Sequence, residues 1–375
     1  MNFDFYAATA TPGANERDID DFLKKKSLNN FKVPNLAAQI QILAGIGARI
    51  PARKDYAVSG HRKYGGGYKS LVHSREKDDG EKRPSPYTEQ LITPALEQLR
   101  QLGLQHPHPD LSILPRGSWF LQFTFTLAKP WLSKDDEIFY VSDGVNPVRK
   151  DKVFKAPIMS AAAWKGLLRW TAMHIRLALK KDELTADRFA MERFVQTLLF
   201  GDEQGEEPAG RKGFAKYVRE LNPAAQQKYE NFLRNYYKVD KDNPLPHHRG
   251  RLVFFPTFFN AIDMEVINPH PRKTRAGKQP IYLETVPEGA QGTFSLLYVP
   301  LDQVGEDMAG EGSKHLRYLV PAITQLFLVY GFSAKRSSGY GVAQDRIGGL
   351  VKTQADKKKL SHLSKLAPEV ENVHF

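Results

Sequence analysis

Cysteine is absent from the 375-residue chain, and that absence removes structural disulfides, thiolate zinc sites, iron–sulfur clusters and a cysteine nucleophile together. Long apolar runs are also missing: none approaches the roughly 20 residues that a helix needs to cross a bilayer. Residues 1–20 are polar and acidic, where a secretory leader is basic and then apolar, so no leader is expected there. A soluble, cytoplasmic protein without membrane partners is the expectation.

Cations and aromatics are what the chain has in quantity. Lys and Arg number 54 against 42 Asp and Glu, a formal net charge of +12 that attracts polyanions, nucleic acid first among them. Ribosomal, membrane-surface or heparin-type partners would draw the same excess. With 22 Phe and 15 Tyr, sheets with apolar faces are favoured over an all-helical bundle, so the fold class expected is α+β.

Periodicity places the elements. Trp119, Leu121, Phe123, Phe125 and Leu127 alternate with Gln122, Thr124 and Thr126, which predicts a strand with one apolar face, stopped by Pro130. Ser160 N-caps a predicted helix whose stripe runs Trp164, Leu167, Leu168, Thr171, Ile175 and Leu179. Trp164 reads as core rather than as a stacking platform. A long helix is expected over residues 214–237, strands over 251–259 and 293–299, an apolar helix over 316–329, and a short last strand from Val342. Residues 49–86, rich in Lys, Arg and Gly, have the composition of a mobile basic loop or insertion. The stretch from Lys352, with Lys357, Lys358, Lys359 and Lys365, reads as a frayed, solvated tail.

Three segments are informative in their order. The first runs Val145-Asn146-Pro147-Val148-Arg149-Lys150-Asp151 and then Ala156-Pro157-Ile158 into Ser160-Ala161-Ala162-Ala163-Trp164-Lys165-Gly166. The second is Leu199-Phe200-Gly201 followed by Gly250-Arg251-Leu252-Val253-Phe254-Phe255. The third is Gly331-Phe332-Ser333-Ala334-Lys335-Arg336-Ser337-Ser338-Gly339-Tyr340-Gly341. As a set, over residues 117–345, they resemble the RAMP superfamily of CRISPR proteins. Its members carry a proline-containing turn into a Ser-rich helix start, a Phe-Gly, a Gly-Arg-Leu strand and a C-terminal glycine-rich loop. Ile267-Asn268-Pro269-His270-Pro271, Val286-Pro287 and Gly292-Thr293-Phe294 look most like Cmr-type backbone subunits. Ala161 and Ala162 depart from the family's usual Gly-Ser-Ser run.

The resemblance implies a ferredoxin-like, RRM-type core with an antiparallel sheet. Residues 1–116 would be an N-terminal extension, 117–350 the RAMP domain with an insertion at about 200–250, and 351–375 a tail. It implies a type III effector subunit that holds guide RNA and the guide–target duplex beside other subunits, with no cofactor needed for binding.

Residue chemistry agrees with phosphate binding. The amides at the Ser160 helix start carry the positive end of the macrodipole, with Lys165 and Arg169 a turn apart beyond them. A capped helix with two exposed cations fits the same residues. In the glycine loop, Lys335, Arg336, Ser337, Ser338 and the amide of Gly339 offer donors to a phosphate backbone, and Tyr340 a ring to a base. A tight helix-to-strand turn is the plainer alternative. The loop with Arg272, Lys273, Arg275 and Lys278 reads equally as an RNA-crossing arm or as a solvated loop.

For cleavage, the resemblance implies an aspartate just before the Pro-Val segment. The direct position is Val145, and the nearest carboxylate is Asp143, which would serve with Mg²⁺. Asp151 is expected to pair with Lys150 or Lys152 instead. A metal-independent, guide-processing nuclease of the same superfamily would draw on His247, His248 or His270 with Tyr340, and a non-CRISPR RNA-binding module would share the same basic surface. His106-Pro107-His108-Pro109-Asp110 reads as rigid proline spacing rather than a metal site.

Overall fold

Strand β1 (Trp119–Leu127) lies at the centre of a five-stranded sheet. The computed structural model describes residues 16–28, 31–49, 54–63, 65–76, 82–134, 145–203, 213–268 and 280–375. After β1 come helix α1 (Ala161–Met173), strands β2 (Leu252–Phe254) and β3 (Gln291–Tyr298), helix α2 (Ala309–Gln325), and strands β4 (Ala343–Thr353) and β5 (Lys357–His362). In space the strands run β5-β4-β1-β3-β2, and every neighbouring pair is antiparallel.

The alternation in β1 has the expected consequence on one face. Trp119, Leu121, Phe123, Phe125 and Leu127 are all fully buried. Above them sit α1 and the end of α2. Trp164 stacks on Phe327 at 5.3 Å, and its indole N–H donates to Thr257 Oγ1 at 2.9 Å, which satisfies the polar end of a buried ring. Trp164 is therefore core. Phe123, Phe125, Phe294 and Phe332 complete this aromatic layer.

The other face was expected to be polar and is only partly so. Gln122 donates to Ser295 Oγ at 3.0 Å, and the Thr124 and Thr293 hydroxyls lie 3.1 Å apart across the strands. Phe120, Leu297 and Val299 form a second apolar patch there, covered by Leu111. The covering segment is pinned through carbonyls: Gln354 Nε2 donates to Leu111 and Leu114, each at 2.8 Å.

Prolines redraw two predicted elements. The expected strand over residues 251–259 divides around Pro256. β2 pairs with β3, while Thr257–Phe258 pairs with Ile158–Met159, because a proline offers no N–H to continue a ladder. The expected helix over residues 214–237 divides at Pro223 into Gly213–Leu221 and Gln226–Tyr237. With Ala186–Phe200 these pack around Phe189, Val218, Tyr229 and Leu233 as a separate cluster.

Both ends of the described chain enter the main core. In the region read as a basic loop, Lys54–Ser59 and Lys69–Val72 are helical, and Tyr68, Leu71 and Val72 are buried. The solvated tail expected from Lys352 is instead β5 and the helix Leu366–Glu371, with Leu360, Leu363, Leu366 and Val370 buried. Lys357, Lys358 and Lys359 sit in the edge strand β5, where their charge also discourages further strand pairing. Inside the core Lys150 forms a fully buried ion pair with Glu284, whose other oxygen accepts from the Tyr68 hydroxyl.

Candidate nucleic-acid interface

The Pro-Val segment, the start of α1 and the glycine turn meet around one cavity. Arg149 is held by its backbone: its amide donates to Ser133 O at 2.8 Å, and its carbonyl accepts from Ile158 N at 3.0 Å. Its side chain is exposed. Lys150, the next residue, turns the other way to Glu284. Asp151 thus does not take Lys150 as its partner; its Oδ1 accepts from the amides of Val153 and Phe154 at 2.9 and 2.8 Å, closing a tight turn.

Ile158–Met159, fixed by pairing with Thr257–Phe258, delivers the chain to Ser160. The Ser160 backbone is extended, and its Oγ accepts from Ala163 N at 3.2 Å. First-turn amides have no acceptor within a helix, so the remaining positive potential is directed outward. Lys165 is exposed. Its ammonium is held below the ordinary lysine value by partial desolvation first, then by the neighbouring Arg169 and Arg249 cations. Arg169 is engaged structurally: Nη1 donates to Asp202 O at 2.8 Å and Nη2 to Gly201 O at 3.1 Å, and the guanidinium lies 4.9 Å from the Phe214 ring centre.

The glycine turn is anchored at both ends to the chain that leaves β1. Ala334 N donates to Leu132 O at 2.9 Å, Gly341 N to Pro130 O at 2.8 Å, and Trp131 Nε1 to Phe332 O at 2.9 Å. Two glycines permit this closeness. Gly331 (φ +72°) and Gly341 (φ +70°) are left-handed, and a Cβ would stand 2.7 Å from Tyr340 O at the first and 2.4 Å from Ser333 Cβ at the second. Between these ends Lys335, Ser337, Ser338 and Gly339 are exposed and Arg336 is half-buried. Tyr340 donates to Glu265 Oε2 at 2.8 Å, and desolvation, with that carboxylate, pushes its pKa up to about 12.

Arg149, Ser160, Ala163, Leu167, Ser333 and Ala334 line the cavity, of about 190 Å³, between these elements. Ser160 at the helix start stands on one side, the exposed Arg149 on another, and the rim continues into the cationic glycine turn. Such a hollow can accept an anionic group and pass the rest of a polymer along the surface. Of the predicted site residues, Ser160 lines the cavity and Lys335 to Tyr340 continue from its wall. Lys165 and Arg169 lie farther along α1. Sequence does not single out Arg149 within its segment, because only the pairing of residues far apart in the chain shows which way it faces.

Asp143, Arg272, Lys273, Arg275, Lys278 and His270 lie outside the described residues. The strands on either side of residues 269–279, Asp263–Ile267 and Ile281–Thr285, form an antiparallel ribbon. His248 is buried with Nε2 3.2 Å from Leu198 O, and the exposed His247 ring sits 2.9 Å from Asp202 Oδ2. Among the described residues no three His, Asp or Glu side chains gather as a metal-binding group. Among the same residues no helix is long and apolar enough to cross a membrane.

An α+β protein with an antiparallel sheet and a hollow beside one helix start, bordered by an exposed arginine, is the class that these features define. The model of the RAMP superfamily matches residues 139–344, and the chain belongs to that superfamily. Among solved structures, it is similar to a chain in the cryo-EM structure of the type III-B Cmr-beta bound to cognate target RNA, at 12% identity, covering 88% of this chain and 96% of that one with a TM-score of 0.39. No curated protein matches it.

Proposed function

We propose that this protein is an RNA-binding backbone subunit of a type III CRISPR effector, gripping guide RNA, and the duplex that the guide forms with target RNA, through phosphates. Base pairing supplies the sequence specificity, and the protein supplies a basic track. The observation that carries this reading is the convergence of the Ser160 helix start, Arg149 and the glycine turn on one hollow. The core is, on this reading, ferredoxin-like and RRM-type. The chain order β1-α1-β2-β3-α2-β4, with β4-β1-β3-β2 adjacent in space, supports that assignment, and β5 extends the edge. The other subunits of the effector complete the assembly around the RNA.

The test is RNA retention. The chain is purified with a defined small RNA, and the Arg149→Ala, Lys165→Ala and Lys335→Ala changes are combined. The expected result is loss of most bound RNA, a shallower dependence of affinity on salt by up to about one unit for each phosphate no longer neutralised, and an unchanged melting temperature. Full retention by the triple variant removes this site from the proposal.

A further inference from the structure

Beyond the cavity, the same face of α1 carries an aromatic stack that the phosphate grip does not use. Ser160, Ala163 and Leu167 line the hollow; Trp170 and His174 come next at the same three- and four-residue steps, so all five share one stripe. From Ser160 to His174 the stripe runs about 21 Å at helical rise. Each of these residues is partly exposed.

Trp170 and His174 are stacked, with ring centres 5.0 Å apart and planes 8° from parallel. Tyr330 stands edge-on to both, 5.4 Å from each. The Arg336 guanidinium, projecting from the glycine turn, lies 4.9 Å from the Trp170 ring centre. His174 opens one π-helical turn and Tyr330 closes another, the turns that end α1 and α2; such turns recur at functional sites.

Packing accounts for part of this cluster, since Trp170 rests against the Phe189 and Tyr229 core group, but not for its open position. The other tryptophans, Trp119, Trp131 and Trp164, are 0–1% exposed, and each indole N–H donates within the protein. Trp170 alone is left partly in solvent, beside a cation, at the end of a basic track. Among the described residues no ion pair engages Arg336, so its guanidinium can leave the ring for a phosphate. A flat π-face next to an exchangeable cation suits a nucleobase with its attached phosphate.

We propose that Trp170, His174 and Arg336 form a nucleobase-stacking station for single-stranded RNA, one helix stripe away from the phosphate hollow. The station takes a base on the Trp170–His174 stack while Arg336 turns to the adjoining phosphate. Stacking is tolerant of sequence because every base has a π-face, which suits a protein that leaves sequence to pairing. This inference rests on the RNA-binding reading above.

The experiment uses the full chain, oligouridylate as the probe, and two readouts. Trp170 is the tryptophan open to solvent, so collisional quenching by acrylamide reports on it; affinity is measured separately with labelled RNA. Saturating RNA is expected to shield Trp170 from acrylamide. Trp170→Ala is expected to weaken binding about ten-fold or more, and Trp170→Phe to recover most of the affinity by restoring an aromatic face. RNA that binds with unchanged affinity in Trp170→Ala, and leaves the wild-type indole equally open to acrylamide, overturns the station while the phosphate hollow stands; the stripe would then face protein. Failure of the wild-type chain to bind RNA at all overturns both. The acrylamide readout on the wild-type chain holds even should Trp170→Ala fold poorly.

Discussion

Ser333 and Leu132 hold each other twice: the Leu132 amide donates to Ser333 Oγ at 2.8 Å, and Ser333 Oγ donates to Leu132 O at 2.9 Å. Residues 201 apart in sequence thus fix where the glycine turn meets the chain leaving β1. Ser333→Ala leaves a buried amide without its side-chain acceptor, which costs about 1–3 kcal/mol. A urea melt should register that loss, and RNA affinity should fall with it as the turn moves off the hollow. An unchanged urea midpoint would show that the pair does not anchor the turn.

The glycines of the turn should differ sharply in tolerance. At Gly341 a Cβ meets Ser333 at 2.4 Å in a left-handed backbone, so Gly341→Ala is expected to cost at least about 3 kcal/mol. Gly339 is also left-handed but has open space around it, so Gly339→Ala should cost only about 1–2 kcal/mol. Equal losses in parallel denaturation curves would argue against the close approach at Gly341.

His315 predicts an acid-side loss of stability. Burial first, and then the nearby Arg251 cation, lower its pKa from 6.5 to about 3; its Nδ1 shares a hydrogen bond of 2.9 Å with the Tyr298 hydroxyl, and Glu311 lies 3.7 Å from Nε2. Between those two values the unfolded chain binds the extra proton and the folded chain does not. The contribution is therefore complete above about pH 6.5 and lost progressively as pH falls toward about 3. Denaturation midpoints at pH 7 and pH 5 should differ by more in the wild type than in His315→Gln.

Target cleavage offers a separate prediction. Asp143 is the carboxylate nearest to Val145, where the family resemblance would put an acid; if this subunit cuts with Mg²⁺, Asp143 is the candidate for it, and it is expected to be dispensable for holding guide RNA. In a reconstituted effector, Asp143→Ala should therefore lose product at this subunit's position and keep its RNA. Undiminished cutting there would exclude it.

How far sequence alone reached depended on the range of the interactions. β1 was legible to the residue because a period of two is written in five alternating apolar positions. The Ser160 cap and the glycine turn were legible because each is local chemistry. The course of the chain beyond Pro256 was not, since Thr257–Phe258 pairs with Ile158–Met159, nearly a hundred positions earlier. Arg149 remained hidden for the same reason. The C-terminal strand was masked by composition: three consecutive lysines conceal the apolar positions Leu360, Leu363 and Leu366 that seal the core. Trp170 carries no local signal either, since Arg336, far later in the chain, is what sets it apart.

The buried Lys150–Glu284 pair also bears on how the chain is made. The hydroxyl of Tyr68 completes that pair across 216 residues, so a ribosome must translate most of the polypeptide before the acceptor emerges. Early segments have to wait with apolar side chains exposed, which predicts slow, late-closing folding of high contact order. Expression of residues 1–116 or 117–375 alone would leave a charged or apolar surface that only the missing part can cover.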